Sequence, residues 1–98
     1  MKVLSKLLNG IRGFFRSKHP RDRQIYAVTG GKYLGEFFVY IEQDIQVVRF
    51  LSLPSMEVRN IPKDKFEFGI EKSILEPVEI MSRDVFSVCK TQYNSINN

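Results

Sequence analysis

Catalytic chemistry in this chain would depend on very few side chains. The sequence has one cysteine, Cys89, and one histidine, His19, among its 98 residues. A nucleophilic site pairs a cysteine or serine with a base that the fold holds in place. His19 stands beside Pro20 in a polar stretch where no regular element would orient it. We therefore expect no catalytic dyad.

Metal and cofactor sites lack their usual sequence patterns. One cysteine and one histidine cannot complete a transition-metal ligand set. The acidic residues do not follow the Asp-x-Asp-x-Asp-Gly spacing of a calcium loop. Glu76 and Glu79 could act as paired carboxylates, but charges on a solvated strand are the plainer interpretation. The sequence therefore predicts no catalytic residue, no metal site and no cofactor.

A glycine-rich stretch, Gly30 to Gly35, has the composition of a phosphate-binding loop. In such a loop Gly-Lys is followed by Ser or Thr and then by a helix. In this chain Tyr33 follows Lys32, and a strand-like run begins soon afterwards at Phe37. We interpret the stretch as a hairpin turn in which glycine supplies positive φ.

The N-terminal segment has the pattern of an amphipathic basic helix. At about 100° per residue its apolar side chains fall within an arc of about 140°, and its basic side chains take the other side. Three alternatives stay open: docking on the domain or in an assembly, binding to an anionic membrane, or remaining unfolded until a partner binds. The candidate contacts with an anionic surface or a partner are Lys2, Lys6, Leu7, Leu8, Arg12, Phe14, Phe15 and Arg16.

Charge divides the chain into two parts. Residues 1–23 hold seven basic side chains and one acid, which gives +6, and residues 24–98 hold eight basic and ten acidic side chains, which gives −2. Attraction to phosphate would therefore belong to the N-terminal part. The polar stretch 17–23, broken by Pro20, is typical of a linker. The predicted organisation is a helix over 1–16, a linker over 17–23 and one domain over 24–98.

The domain shows the alternating pattern of short strands. Strands are expected at 24–29, 35–42, 45–53 and 74–81, with a further short one at 56–61, and the first three should form an antiparallel meander. Pro77 indicates an edge or a bulge in the last of them. The pattern predicts a mainly β fold, a small SH3-like barrel of about five antiparallel strands with flanking helices; an OB-like barrel is the alternative.

Two segments of the second half follow other patterns. Residues 65–72 alternate Phe66, Phe68 and Ile70 with polar residues, which predicts either a strand or one turn of 3₁₀ helix. From Ser82, a suitable N-cap, the pattern becomes helical and predicts a C-terminal helix over 83–93. One face of that helix carries Val85, Phe86, Cys89 and Tyr93.

Phe38 and Tyr40 form a candidate aromatic platform. Alternation along the second strand places them on one face of the sheet and Phe37, Val39 and Ile41 on the other. If their face is open, the two rings could stack nucleobases or grip a peptide. We favour the alternative that the terminal helix or the N-terminal segment covers them, since small barrels bury aromatic residues.

These features indicate classes of function and no specific activity. We expect a non-enzymatic interaction module that binds a protein partner, with the basic helix as docking element or peripheral membrane anchor. The alternative is a nucleic-acid-binding barrel whose cationic segment contacts phosphates, although the domain itself is net acidic. A small enzyme is the least favoured class. No apolar run could span a bilayer and no secretory signal is recognisable, so we expect a cytoplasmic protein.

Overall fold

The fold is mainly β, as the sequence predicts. A computed structural model describes residues 17–97, and the helix predicted over 1–16 lies outside the described residues. The elements in chain order are β1 Gln24–Val28, β2 Phe37–Gln43, β3 Val47–Leu53, β4 Val58–Pro62, α1 Lys63–Glu71, β5 Leu75–Ile80 and α2 Arg83–Asn97.

The five strands form one antiparallel sheet in the order β4-β3-β2-β1-β5. The meander predicted for β1, β2 and β3 is confirmed, with Val39 of β2 opposite Ile25 of β1 and Leu51 of β3. The chain leaves β4 through α1 and returns at the far edge as β5. β4 and β5 are therefore opposite edges of an open sheet, and the predicted SH3-like barrel is not confirmed.

α1 takes the place of the strand or 3₁₀ turn predicted over 65–72. Phe66 and Ile70 are buried against the sheet, whereas Phe68 is 53% exposed. The alternating pattern is misleading because only its first and last apolar members, four residues apart, face the core. That spacing is the helical one, so the prediction for this segment is wrong.

One helix covers each face of the sheet. On the face covered by α1, Phe50 is fully buried, and its ring centroid lies 5.3 to 6.3 Å from those of Tyr26, Phe38, Tyr40 and Phe66. Such tilted and edge contacts stabilise a core by about 0.5–1.5 kcal/mol each beyond burial. We call this side the α1 face.

The opposite side, the α2 face, holds a second and less aromatic core. Because both faces are covered, β2 is buried at four successive positions, from Phe38 to Ile41, as is typical of a central strand. The buried members of the second core are Ile25, Val39, Ile41, Leu51, Met81, Cys89 and Tyr93.

Two strands carry irregularities. A register shift after Tyr40 makes Ile41 an extra residue of β2 and places Glu42 opposite Arg49. A second shift interrupts the pairing of β1 with β5 next to Pro77. The edge position and the bulge that the proline predicts are both present.

α2 begins where the sequence predicts and continues further. The Ser82 Oγ accepts a hydrogen bond from the backbone N–H of Val85 at 3.4 Å, which is the geometry of an N-cap. The helix runs to Asn97, four residues beyond the predicted end. Val85 was expected on the buried face, but it is mostly solvent-exposed.

The segment predicted as a linker, residues 17–23, contacts the domain at both ends. Lys18 Nζ lies 2.7 Å from Glu71 Oε1 in the last turn of α1. Arg23 Nη1 donates to the carbonyl oxygen of Met81 at 3.1 Å. These contacts fix the path by which the chain enters β1, while the division into helix, linker and domain stays a prediction.

Candidate interaction surfaces on the C-terminal helix

α2 presents three different faces around its axis. At 100° per residue, Phe86, Cys89 and Tyr93 fall together on the side that packs against the sheet. Aliphatic residues lie on one flank of this core side, and basic and hydroxyl residues lie on the other. Both flanks point away from the core, so they are the candidate interaction surfaces.

The aliphatic side, here called the apolar flank, consists of Val85, Val88 and Ile96. Their side chains are 51%, 65% and 46% exposed. Fully burying a side chain of this size stabilises a protein by about 1.5–3 kcal/mol, and much of that contribution is not realised here. A cavity of about 380 Å³ between Val85 and the end of β5, lined by Ile80, extends the apolar surface onto the sheet edge.

Two carboxylates border the apolar flank. Glu79 lines the same cavity as Val85. Asp84 lies in the first turn of α2, four residues before Val88 and hence beside it on the helix surface. Both acids are exposed. This border favours an apolar partner surface that carries positive charge at its margin.

The other flank of α2 borders a groove of about 540 Å³, here called the basic groove. Arg83 and Lys90 line it from α2, and Asp22 and Arg23 line it from the segment that enters β1. Among the described residues, three cationic side chains thus share the groove with one carboxylate. The remaining lining is mixed: the hydroxyl residues Ser87 and Thr91 and the apolar residues Ile41 and Phe86.

Arg23 is held in place at the edge of the groove. Its side chain donates to the Met81 carbonyl at 3.1 Å, and its own carbonyl accepts from the Met81 N–H at 2.9 Å. Its φ of 64° is a left-handed conformation that costs a non-glycine residue about 1–2 kcal/mol. The two hydrogen bonds connect the start of β1 to the β5–α2 junction. They fix the position of the Arg23 backbone from which the guanidinium extends.

An ordered ion pair marks the turn between β2 and β3. Asp44 accepts the backbone N–H groups of Gln46 and Val47 at 2.8 and 2.9 Å, and Arg49 Nη2 lies 2.7 Å from its Oδ2. The Gln46 N–H, followed by the Arg49 and Val47 donors, lowers the pKa of Asp44 to about 2. The cluster fixes the hairpin tip.

A second polar cluster joins Glu36, the residue before β2, to β3 and β4. The hydroxyl of the fully buried Ser52 donates to Glu36, and Arg59 Nη2 lies 3.2 Å from Glu36 Oε1. The Arg59 guanidinium also stacks 4.3 Å from the Tyr33 ring centroid. A substrate cannot reach a fully buried hydroxyl, so this cluster is a structural link between strands.

The candidate aromatic platform is not on the surface. Phe38 and Tyr40 are both buried, as the favoured interpretation expects, but the helix that covers their face is α1, and the C-terminal helix packs on the other face. The rings are therefore unavailable for stacking bases or peptides. The candidate contacts of the N-terminal segment lie outside the described residues: Lys2, Lys6, Leu7, Leu8, Arg12, Phe14, Phe15 and Arg16.

The residues with nucleophilic or ligand chemistry have ordinary surroundings. Cys89 is buried with its Sγ 3.8 Å from Met81 Sδ, and burial raises the pKa of its thiol, which disfavours the reactive thiolate. His19 is exposed, and its backbone N–H donates to Ser17 Oγ at 3.0 Å. Among residues 17–97, no three His, Cys, Asp or Glu side chains converge as metal ligands.

The glycine-rich stretch is a hairpin connection, as predicted. Gly31 and Gly35 have φ values of 80° and 91°, which L-residues rarely adopt. The Gly35 N–H donates to the carbonyl of Val28 at 3.0 Å. The chain then continues as β2 and not as the helix that follows a phosphate-binding loop.

Sequence patterns could reveal only part of the basic groove. Arg83, Ser87 and Lys90 recur at helical spacing, and that recurrence is a detectable sign of a polar helix flank. The contribution of Arg23 has no such sign, because sixty residues separate it from Arg83. Its placement depends on the pairing of β1 with β5.

Comparison with known protein families, characterised proteins and solved structures found no match for this chain. Within residues 17–97, no helix is long and apolar enough to cross a membrane. The two flanks of α2 are therefore the features of the described residues that bear on function.

Proposed function

We propose that this chain is a non-enzymatic, cytoplasmic interaction module that binds a protein partner through the apolar flank of α2. The observation that carries the proposal is the exposure of Val85, Val88 and Ile96 along one side of a fifteen-residue helix. Scattered apolar residues are common on protein surfaces, whereas grouped ones mark an interaction site. Val85 and Val88 are neighbours on the helix surface and adjoin the cavity at Ile80, and Ile96 follows beyond the polar Gln92.

The chemistry of the partner follows from the border of the flank. The flank is narrow and follows the helix axis, so a second amphipathic helix is the shape that covers it best. Glu79 and Asp84 at its margin favour basic residues beside the apolar stripe of that helix. The proposed partner is therefore a protein segment that forms a basic amphipathic helix.

The non-enzymatic part of the proposal is supported by the positions of two potential nucleophiles. Cys89 and Ser52 are buried, and Ser52 is hydrogen-bonded to the Glu36 carboxylate. Neither side chain lies where a substrate could reach it. The cytoplasmic location is proposed because one buried cysteine is typical of proteins from reducing compartments.

The N-terminal basic segment is proposed as the second contact of the module, either as docking element or as peripheral anchor. Its four basic side chains, Lys2, Lys6, Arg12 and Arg16, each contribute about 1 kcal/mol near an anionic membrane surface. Co-sedimentation of the full chain with anionic and neutral vesicles distinguishes these two roles. Release by Phe14→Ser with Phe15→Ser would support the anchor.

The central experiment is site-specific photo-crosslinking in cells. A photoreactive amino acid replaces Val88 in the full chain, and a matched control carries it in place of Ile45, which is 87% exposed at the β2–β3 turn. We expect a covalent adduct from position 88 that is absent from position 45. Mass spectrometry should map the adduct to a basic amphipathic helix of another protein.

Three results of that experiment contradict the proposal. An adduct of twice the monomer mass indicates a second copy of this chain. An intramolecular crosslink indicates that the chain covers its own flank. Equal labelling from positions 88 and 45 indicates unselective contact. Competition by Val88→Asp protein provides a check, since this variant should not displace the partner and Ile45→Asp should.

A further inference from the structure

The basic groove is a second binding site, distinct from the apolar flank. It lies on the opposite side of α2, between the helix and the segment that enters β1. Its volume of about 540 Å³ falls in the range of small-molecule sites, about 300–1,000 Å³. A partner helix on the apolar flank would leave it open.

The charges of the groove select an anion. Arg23, Arg83 and Lys90 line it together with one acid, Asp22. Arg83 lies in the first turn of α2, where the helix dipole adds positive potential. Glu42 Oε1 lies 3.9 Å from Lys90 Nζ, and it draws part of the lysine charge toward the sheet. Arg23 and Arg83 are therefore the main cationic contacts that the groove offers to a ligand.

The guanidinium of Arg23 is partly preorganised for that role. One of its nitrogens is bonded to the Met81 carbonyl, which leaves other donors of the planar group available. A side chain already held by the fold loses less entropy when it binds an anion. Arg83, which follows Met81 by two residues, provides the second guanidinium at the same junction.

The rest of the lining suits the non-ionic part of a ligand. Phe86 is half-buried, and Ile41, at the bulge of β2, is buried but reaches the groove. An aromatic ring gives a planar ligand a stacking surface. Ser87 and Thr91, one helical turn apart, provide hydroxyl groups beside it.

We infer that the basic groove binds a phosphate monoester of a planar aromatic molecule, of which a nucleoside monophosphate is the representative. The phosphate contacts Arg23 and Arg83, and the ring lies against Phe86 and Ile41. The basic residues of the N-terminal segment would be repelled by the three cations of the groove, so this segment is a poor ligand for it. An acidic peptide would satisfy the charges but would leave the apolar wall unused.

The test is a calorimetric titration of the full chain with three probes: adenosine monophosphate, adenosine and inorganic phosphate. We expect saturable binding of adenosine monophosphate below about 1 mM, and at least tenfold weaker binding of the other two. Arg83→Gln should weaken binding about tenfold, since a charge-assisted hydrogen bond is lost. Arg83 is exposed, so this variant should fold.

Controls make the result specific to the groove. Lys72→Gln removes the same charge from an exposed site directly after α1 and should leave binding unchanged. Phe86→Leu should weaken the binding of adenosine monophosphate and leave the binding of inorganic phosphate unchanged. The inference fails if the nucleotide does not saturate, if Lys72→Gln weakens binding as much as Arg83→Gln, or if an aspartate-rich peptide binds more tightly than the nucleotide.

Discussion

The two faces of the sheet are built differently. On the α1 face a nine-residue helix inserts Phe66 and Ile70 into a layer of aromatic rings around Phe50. On the α2 face a fifteen-residue helix contributes Phe86, Cys89 and Tyr93 to the core, and its other apolar side chains are exposed. The shorter helix directs its apolar side chains into the core except for the exposed Phe68, whereas the longer one has two flanks free for recognition.

This difference separates stability from recognition in the molecule. Free energy of unfolding should depend mainly on the α1 face and on the strands that support it. Binding should depend on the flanks of α2, where substitutions should leave the fold intact.

The largest effect is expected for Phe50→Ala on the α1 face. Phe50 is fully buried and contacts four other rings, so its removal should lower the free energy of unfolding by about 3–5 kcal/mol. Denaturant titration of the purified protein measures the loss. Ile45→Ala, at a highly exposed position, is the control and should stay within about 0.5 kcal/mol. A loss below 1 kcal/mol for Phe50→Ala would contradict the packing described here.

A smaller effect is expected for Arg59→Ala at the polar link between strands. The change leaves Glu36 without its cation and removes the stacking on Tyr33, which should destabilise the fold by about 1–3 kcal/mol. Arg59→Lys should recover part of this loss, because it restores the charge but not the planar group. Thermal denaturation of the three proteins compares them, and equal stability of all three would show that the link contributes nothing.

Little change in stability is expected for Val88→Ser together with Ile96→Ser. Both side chains are largely exposed, so the free energy of unfolding should change by no more than about 0.5 kcal/mol per site. As a competitor in the crosslinking assay, the double variant should nevertheless fail to displace the partner. Destabilisation well above that value would mean that the flank is covered in the folded protein, and the separation of stability from recognition would then fail.

The smallest effect concerns acid stability at the β2–β3 turn. The pKa of Asp44 is lowered from 3.8 to about 2, so its folded form binds a proton less readily than its unfolded form. The resulting stability is complete above about pH 4 and is lost as the pH falls from 4 toward 2. Wild type and Asp44→Asn should therefore converge in stability over that interval. A stability difference between the two proteins that stays constant from pH 4 to pH 2 would contradict the lowered pKa of Asp44.

The sequence predicts the individual strands and helices better than it predicts which helix covers each face of the sheet. β1, β2, β3 and α2 are recognisable because their patterns and turns are local, and Pro77 correctly indicates the edge strand. α1 is missed because Phe68 is an exposed aromatic residue between two buried positions. Barrel closure is not confirmed. α1 joins β4 to β5 and lies across one face of the sheet, and these two strands form its opposite edges.

The candidate surfaces are predictable to different degrees. Phe38 and Tyr40 are correctly placed on one face of the sheet and correctly expected to be buried, but the helix that covers them, α1, could not be predicted from β2. The apolar flank escapes notice because Val85 was assigned to the core face of a helix that presents apolar residues on two sides. The basic groove requires Arg23 and Arg83 to meet, which only the sheet pairing determines.

The burial of Cys89 makes the attachment of α2 measurable as a rate. Its Sγ lies under the helix, next to Met81, so a thiol reagent reaches it only while the helix is lifted from the sheet. Modification kinetics then report the free energy of that local opening. A ligand that bridges α2 and the start of β1 should slow the labelling, and a partner that pulls the helix away should accelerate it. Cys89 is thus a built-in chemical probe for the detachment of α2 from the sheet.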